Sequence, residues 1–201
     1  MLESQAVSRS INPLGADELQ ELWSAAADIW DARQSEAAFD GYVSADFAAI
    51  HARLAALKDR AHTVLEWGSG LGVVAIMASR LGFDSYGIEV KPELVHAARE
   101  LAERFKATPR FATGSFVPDE FSGNLREGDE FHRTETQDLP AYEELDMELR
   151  DFDLVYAYPW PEEHTIFRSI IRRCASPNTL YLRYDVREGL SLTRPARRRA
   201  R

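Results

Sequence analysis

A chain of 201 residues, 45% hydrophobic and 28% charged, has enough apolar material for a sizeable core, and its length predicts one domain. Its one cysteine, Cys174, excludes an internal disulfide framework and a zinc centre built on several thiolates. The formal charge of −9 is uneven: residues 119–151 hold twelve acids against three arginines, whereas the last eight residues, RPARRRAR, hold five arginines.

No apolar run approaches the length of a membrane span. The opening MLESQAVSRS has no apolar stretch behind a basic start, so it does not read as a signal peptide, and a cytoplasmic protein is expected. The acidic stretch reads as a solvated surface excursion that would repel nucleic acid or attract a basic partner. The arginine tail reads as a disordered end able to touch phosphates non-specifically.

In chain order, residues 16–32 place Leu19, Leu22, Ala26, Ile29 and Trp30 on one helical face. Residues 44–58 repeat that pattern with Phe47, Ile50, Leu54 and Leu57, and Ser44 is a candidate N-cap. Asp40-Gly41 between them marks a turn. Strands then alternate with helices. Strands are predicted at His62–Trp67, Ser85–Val90, Arg110–Val117, Phe152–Tyr158 and Leu180–Tyr184, with a short sixth at Gly189–Thr193. Helices are predicted over Leu71–Leu81, from Pro92 and from Pro161, with Gly82 closing the first. Such alternation implies a doubly wound, mostly parallel α/β sheet of the Rossmann type. The expected division is a helical cap over 1–60, an α/β core over 61–193 and a basic tail over 194–201.

The stretch Glu66-Trp67-Gly68-Ser69-Gly70-Leu71-Gly72 closes the first strand, where ligands of such sheets settle. Glycines on alternate positions let the backbone turn sharply and approach a ligand, and the following helix aims its amides at the bound group. Gly70, Gly72 and Ala75 also satisfy the dinucleotide pattern G-x-G-x-x-A. A carboxylate at Glu66 suits an ammonium group better than a diphosphate.

These residues resemble motif I of class I S-adenosylmethionine-dependent methyltransferases, E/D-x-G-x-G-x-G. Glu89, seventeen residues after Gly72 at the end of the second strand, resembles the acid that holds both ribose hydroxyls in that family. The order of elements from about residue 40 to 190 agrees. The resemblance implies S-adenosylmethionine as cofactor, with Gly68, Ser69, Gly70 and Gly72 around its methionine and ribose, Glu66 near its amino group and Glu89 on the ribose. It places Gly114 and Ser115 at the adenine, and Tyr42 and Ser44 over the methyl donor.

At the family's fourth motif this chain reads Ala157-Tyr158-Pro159-Trp160, where methyltransferases of amino groups on bases and amides often carry N/D-P-P-Y/F. The departure argues against amino-base methylation. It leaves Tyr158 and Trp160 as a π-rich wall for a flat or cationic acceptor. His164 is the candidate base, and no spacing of side chains suggests a metal. The acceptor is expected to be a small molecule or protein rather than nucleic acid. The rival readings are a catalytically inactive cofactor-binding or regulatory member of the fold, and a NAD(P)-dependent oxidoreductase. Little chain follows the fifth strand, so that sheet edge is expected to be shortened or completed by a partner.

Overall fold

The computed structural model describes residues 13–39, 43–122, 124, 126, 129–134, 136 and 141–194. Its strands are β1 (Thr63–Trp67), β2 (Asp84–Glu89), β3 (Arg110–Thr113), β4 (Leu154–Ala157), β5 (Leu180–Asp185) and β6 (Gly189–Thr193). They form one sheet in the order β3-β2-β1-β4-β5-β6, parallel except that β6 runs antiparallel to β5. The helices are α1 (Ala16–Arg33), α2 (Phe47–Ala55), α3 (Val73–Leu81), α4 (Pro92–Arg104), α5 (Asp119–Ser122), α6 (Ala141–Leu145) and α7 (His164–Cys174).

Strands buried on both faces must carry apolar side chains in both directions, which is why β1, β4 and β5 read as near-continuous apolar runs. Val64, Leu154, Tyr156, Leu180 and Leu182 enter one core with α1 to α4. Leu65, Trp67, Val155, Ala157 and Tyr181 enter the other with α5, α6 and α7. Crossovers leave β1 in one direction towards β2 and β3, and return on its other side to β4. The order therefore reverses between β1 and β4, and a crevice opens at their carboxyl ends.

The sequence expectations shift at several boundaries. Helix α2 begins at Phe47, and its cap is Asp46, which accepts from the Ala49 amide, rather than Ser44. Strand β3 stops at Thr113 instead of Val117. The acidic excursion is anchored as well as solvated, since Phe121, Ala141, Leu145 and Leu149 are buried in the second core. Tyr42 and the Asp40-Gly41 turn lie outside the described residues, as does the basic tail after Arg194.

Candidate functional site

Between β1 and α3 the chain makes a crook in which Gly68, Gly70 and Gly72 have φ of 62°, 52° and 68°. This left-handed region strains any residue with a Cβ. The crook floors a cavity of about 790 Å³ at the carboxyl ends of the parallel strands. Gly68, Ser69, Gly70, Glu66 and Glu89 line it from one side, and Gly114 and Phe116 from the end of β3. Tyr156, Tyr158, Pro159 and Trp160 line it from β4 and its extension. Val43 and Val186, the two large hydrophobics most exposed among the described residues (48% and 70%), both stand on its rim.

Glu89 is 8% exposed. Its Oε2 accepts from the Gly70 amide at 2.9 Å and its Oε1 from the Lys91 amide at 3.1 Å. Each oxygen keeps a second lone pair, so the carboxylate is fixed in orientation yet able to accept two more hydrogen bonds. Burial raises its pKa against the opposing pull of those amides.

Glu66 is 5% exposed, and its Oε2 accepts from the Ala75 amide in the first turn of α3 at 2.8 Å. The residue at the N-cap, Gly72, has no side chain to offer, so a carboxylate from the neighbouring strand supplies the cap. Burial pushes its pKa up to about 8, and the nearby Glu89 adds to the rise. The carboxyl is therefore largely protonated at neutral pH until a cation arrives beside it.

The opposite wall is held by a different carboxylate. Glu163 is fully buried in the turn before α7. Its Oε1 accepts from the amides of His132, Arg133 and Thr134, and its Oε2 from the Thr134 hydroxyl. Burial opposes its ionisation, but these four bonds outweigh it and hold the pKa below the ordinary value. The pinned segment brings Arg133 and Thr134 from the acidic excursion into the cavity lining. The Arg133 guanidinium lies 4.7 Å from the Trp160 ring centroid, with its Nε 3.0 Å from Glu162. Tyr158 packs edge-on to Tyr184 at 4.9 Å.

Of the residues expected in the site, Glu66, Gly68, Ser69, Gly70, Glu89, Gly114, Tyr158 and Trp160 line this one cavity. Gly72, Ser115 and His164 do not. A Cβ on Gly72 would meet Phe111 Cζ at 2.4 Å, so this glycine serves the packing of α3 against β3. Ser115 faces a separate, smaller cavity, and its hydroxyl accepts from the Val117 amide in a local turn. His164 lies between Arg183, which reaches Nδ1, and Asp185, whose Oδ2 is 3.3 Å from Nε2. Burial and then the Arg183 charge lower its pKa, so the ring at the start of α7 is a neutral partner of β5 side chains and does not line the cavity. The sequence reading missed Arg133, Thr134, Glu163 and Tyr156. Tyr156 and Glu163 lay beside recognised residues, and the alternation of Tyr156 in β4 with Val155 and Ala157 marks it as facing the Glu66 side. Among the described residues no group of three or more His, Cys, Asp or Glu could hold a metal ion, and no helix is long and apolar enough to cross a membrane.

No protein-family model matches the sequence. It is 43% identical over 58 residues to a ribosomal protein L11 methyltransferase of Cupriavidus taiwanensis, a match spanning 28% of this chain and 20% of that protein. The backbone is similar to an RNA methyltransferase from Salinibacter ruber in complex with S-adenosyl-L-homocysteine, with 21% identity and a TM-score of 0.50 over 72% of this chain and 78% of that one. It is also similar to cofactor-bound Rv0187 from MTB, with 18% identity and a TM-score of 0.52 over 87% of this chain and 73% of that one. In backbone and strand order, this chain has the Rossmann-like fold of methyltransferases.

Proposed function

We propose that this chain binds S-adenosylmethionine in the cavity over the glycine crook and transfers its methyl group to a small-molecule or protein acceptor. The observation that carries the reading is Glu89: a buried carboxylate at the end of β2, held by two backbone amides with lone pairs to spare for a pair of ribose hydroxyls. The other residues fit the group. Gly68 and Gly70 leave room for close approach of its backbone-facing side, and Glu66 offers a buried partner to an ammonium.

When bound, the cofactor supplies an electrophilic methyl carbon, so the protein's contribution is chiefly orientation and exclusion of water. Glu89 fixes the sugar. Glu66 would release its proton to solvent and, as the carboxylate, hold the ammonium. Tyr158, Pro159 and Trp160 border the space an acceptor would enter. Arg133 already covers one face of Trp160, so the wall is better suited to a flat or apolar acceptor than to a cationic one. Val43 and Val186 extend that apolar character to the rim. The relatives' names include a ribosomal protein and an RNA methyltransferase, so they do not choose an acceptor. The charge of the 119–151 segment, which contributes Arg133 and Thr134 to the lining, disfavours a polyanion. A cytoplasmic setting is part of the same proposal, in keeping with a sequence whose one cysteine gives the fold no internal disulfide.

The dinucleotide reading is weakened by one contact. The Ala75 amide in the first turn of α3 already donates to Glu66 and so is not free to donate to a diphosphate, which would also face two carboxylates. Incubation of the full chain with methyl-labelled cofactor and size-fractionated cell extract tests the activity. Transfer of label to small molecules or protein is expected. Cofactor binding without transfer to any fraction would favour the inactive, regulatory reading.

A further inference from the structure

Among the described residues, the buried hydroxyls of Ser69, Ser85, Tyr156 and Tyr181 have no hydrogen-bond partner in the protein. Only Ser69 and Tyr156 line the cavity. Tyr156 is 3% exposed and sits directly opposite Glu66 in the β1–β4 register, so both side chains rise from the same face of the sheet. An unpaired hydroxyl in such surroundings is destabilising unless something else satisfies it.

We infer that Tyr156 is a ligand-binding residue whose Oη–H donates to the carboxylate of the cofactor's amino-acid tail, while Glu66 accepts from the ammonium of the same tail. The assignment rests on the cofactor reading above and goes beyond it by naming the second half of the tail site. A zwitterion entering a buried crevice needs an acceptor and a donor side by side, or one of its charges is stranded. Glu66 is an acceptor once ionised and cannot serve the carboxylate. Tyr156 can, and burial raises its pKa well above the ordinary value, so the hydroxyl keeps its proton.

The test is calorimetric titration of the full chain and of Tyr156→Phe with two probes: S-adenosylhomocysteine, and 5′-methylthioadenosine, which lacks the amino-acid tail. The variant is expected to bind S-adenosylhomocysteine about tenfold more weakly. Its affinity for 5′-methylthioadenosine should stay within about twofold, and its Tm should hold or rise because only an unpaired buried hydroxyl is removed. Equal losses for both probes would place the hydroxyl elsewhere and overturn the inference, as would no loss for either. A marked fall in Tm would also overturn it, by assigning the hydroxyl to the fold. If the unaltered chain bound neither probe, the cofactor reading itself would fail, which is a different result from failure of the Tyr156 assignment alone.

Discussion

On its β1–β2 side the cavity is made from one short stretch, Glu66 to Lys91, and most of the contacts there run between a carboxylate and a backbone amide. On its β4–β5 side it gathers Arg133 and Thr134 from the acidic excursion, Tyr158 to Glu162 from the extension of β4, and Asp185 to Arg187 from the end of β5. The first half depends on backbone shape, the second on side chains from three segments, one of them pinned by Glu163. A fixed ligand can be served by the first arrangement, and an acceptor that differs among relatives by the second.

The sharpest way to break the first half is Gly72→Val. The new Cβ would sit 2.4 Å from Phe111 at a φ of 68°. Overpacking and left-handed strain together cost roughly 3 kcal/mol or more, which thermal unfolding would register as a fall in Tm of about 10 °C. Gly68→Ala is the control: it has a similar φ but nothing within 4 Å, so only the strain of about 1 kcal/mol applies. Equal effects at the two positions would contradict the packing role given to Gly72.

Glu89→Ala comes next and acts on ligand rather than fold. Loss of hydrogen bonds to a buried carboxylate should weaken S-adenosylhomocysteine by roughly 1–3 kcal/mol. Unchanged affinity would mean that the ribose is held elsewhere. Glu163→Gln addresses the other half. It leaves at most one good acceptor for four donors and should cost about 1–2 kcal/mol of stability by urea unfolding. Binding of S-adenosylhomocysteine should change by less than about threefold, because Glu163 pins residues 132–134 and touches none of Glu66, Glu89 and Tyr156. A loss as large as that of Glu89→Ala would show that the two halves are not separable.

Glu66 ties stability to pH. Its carboxyl has an ordinary value of 4.5 and a folded value of about 8. A raised folded pKa means that this group's stabilising contribution is complete below about pH 4.5 and is lost as pH rises through 8. Glu66→Gln removes that loss while its amide oxygen can still accept from Ala75. Its Tm should match the unaltered chain near pH 4.5 and exceed it at pH 8.5, where the unaltered carboxyl must ionise in a buried site. The same variant should bind S-adenosylhomocysteine more weakly, so stability and binding move in opposite directions. A Tm difference independent of pH would contradict a protonated buried Glu66.

The contrast between the halves also explains what could be read before the structure. Strand–helix alternation and the glycine crook are local patterns, so β1 to β5, α3 and α4 followed from spacing, whereas the roles expected of Glu66 and Glu89 came from the family resemblance that the crook carries. Ser44 was a reasonable cap by residue type, yet Asp46 won because helix α2 starts three residues later. His164 was near the crevice in sequence, but the start of α7 turns its ring towards Arg183 and Asp185. Glu163 and Thr134 meet across a long excursion whose pattern of acids announces only solvation, so no periodicity could pair them. Tyr156 looked like one more apolar strand residue, and only its hydroxyl's lack of a partner sets it apart.

The central claim is that the glycine crook between Glu66 and Glu89 is shaped for a sulfonium nucleoside with an amino-acid tail. Parallel calorimetric titrations of the full chain with S-adenosylhomocysteine and with NAD test it directly. The account predicts saturable one-to-one binding of the thioether and no measurable heat with the dinucleotide. Binding of NAD with none of S-adenosylhomocysteine would contradict it.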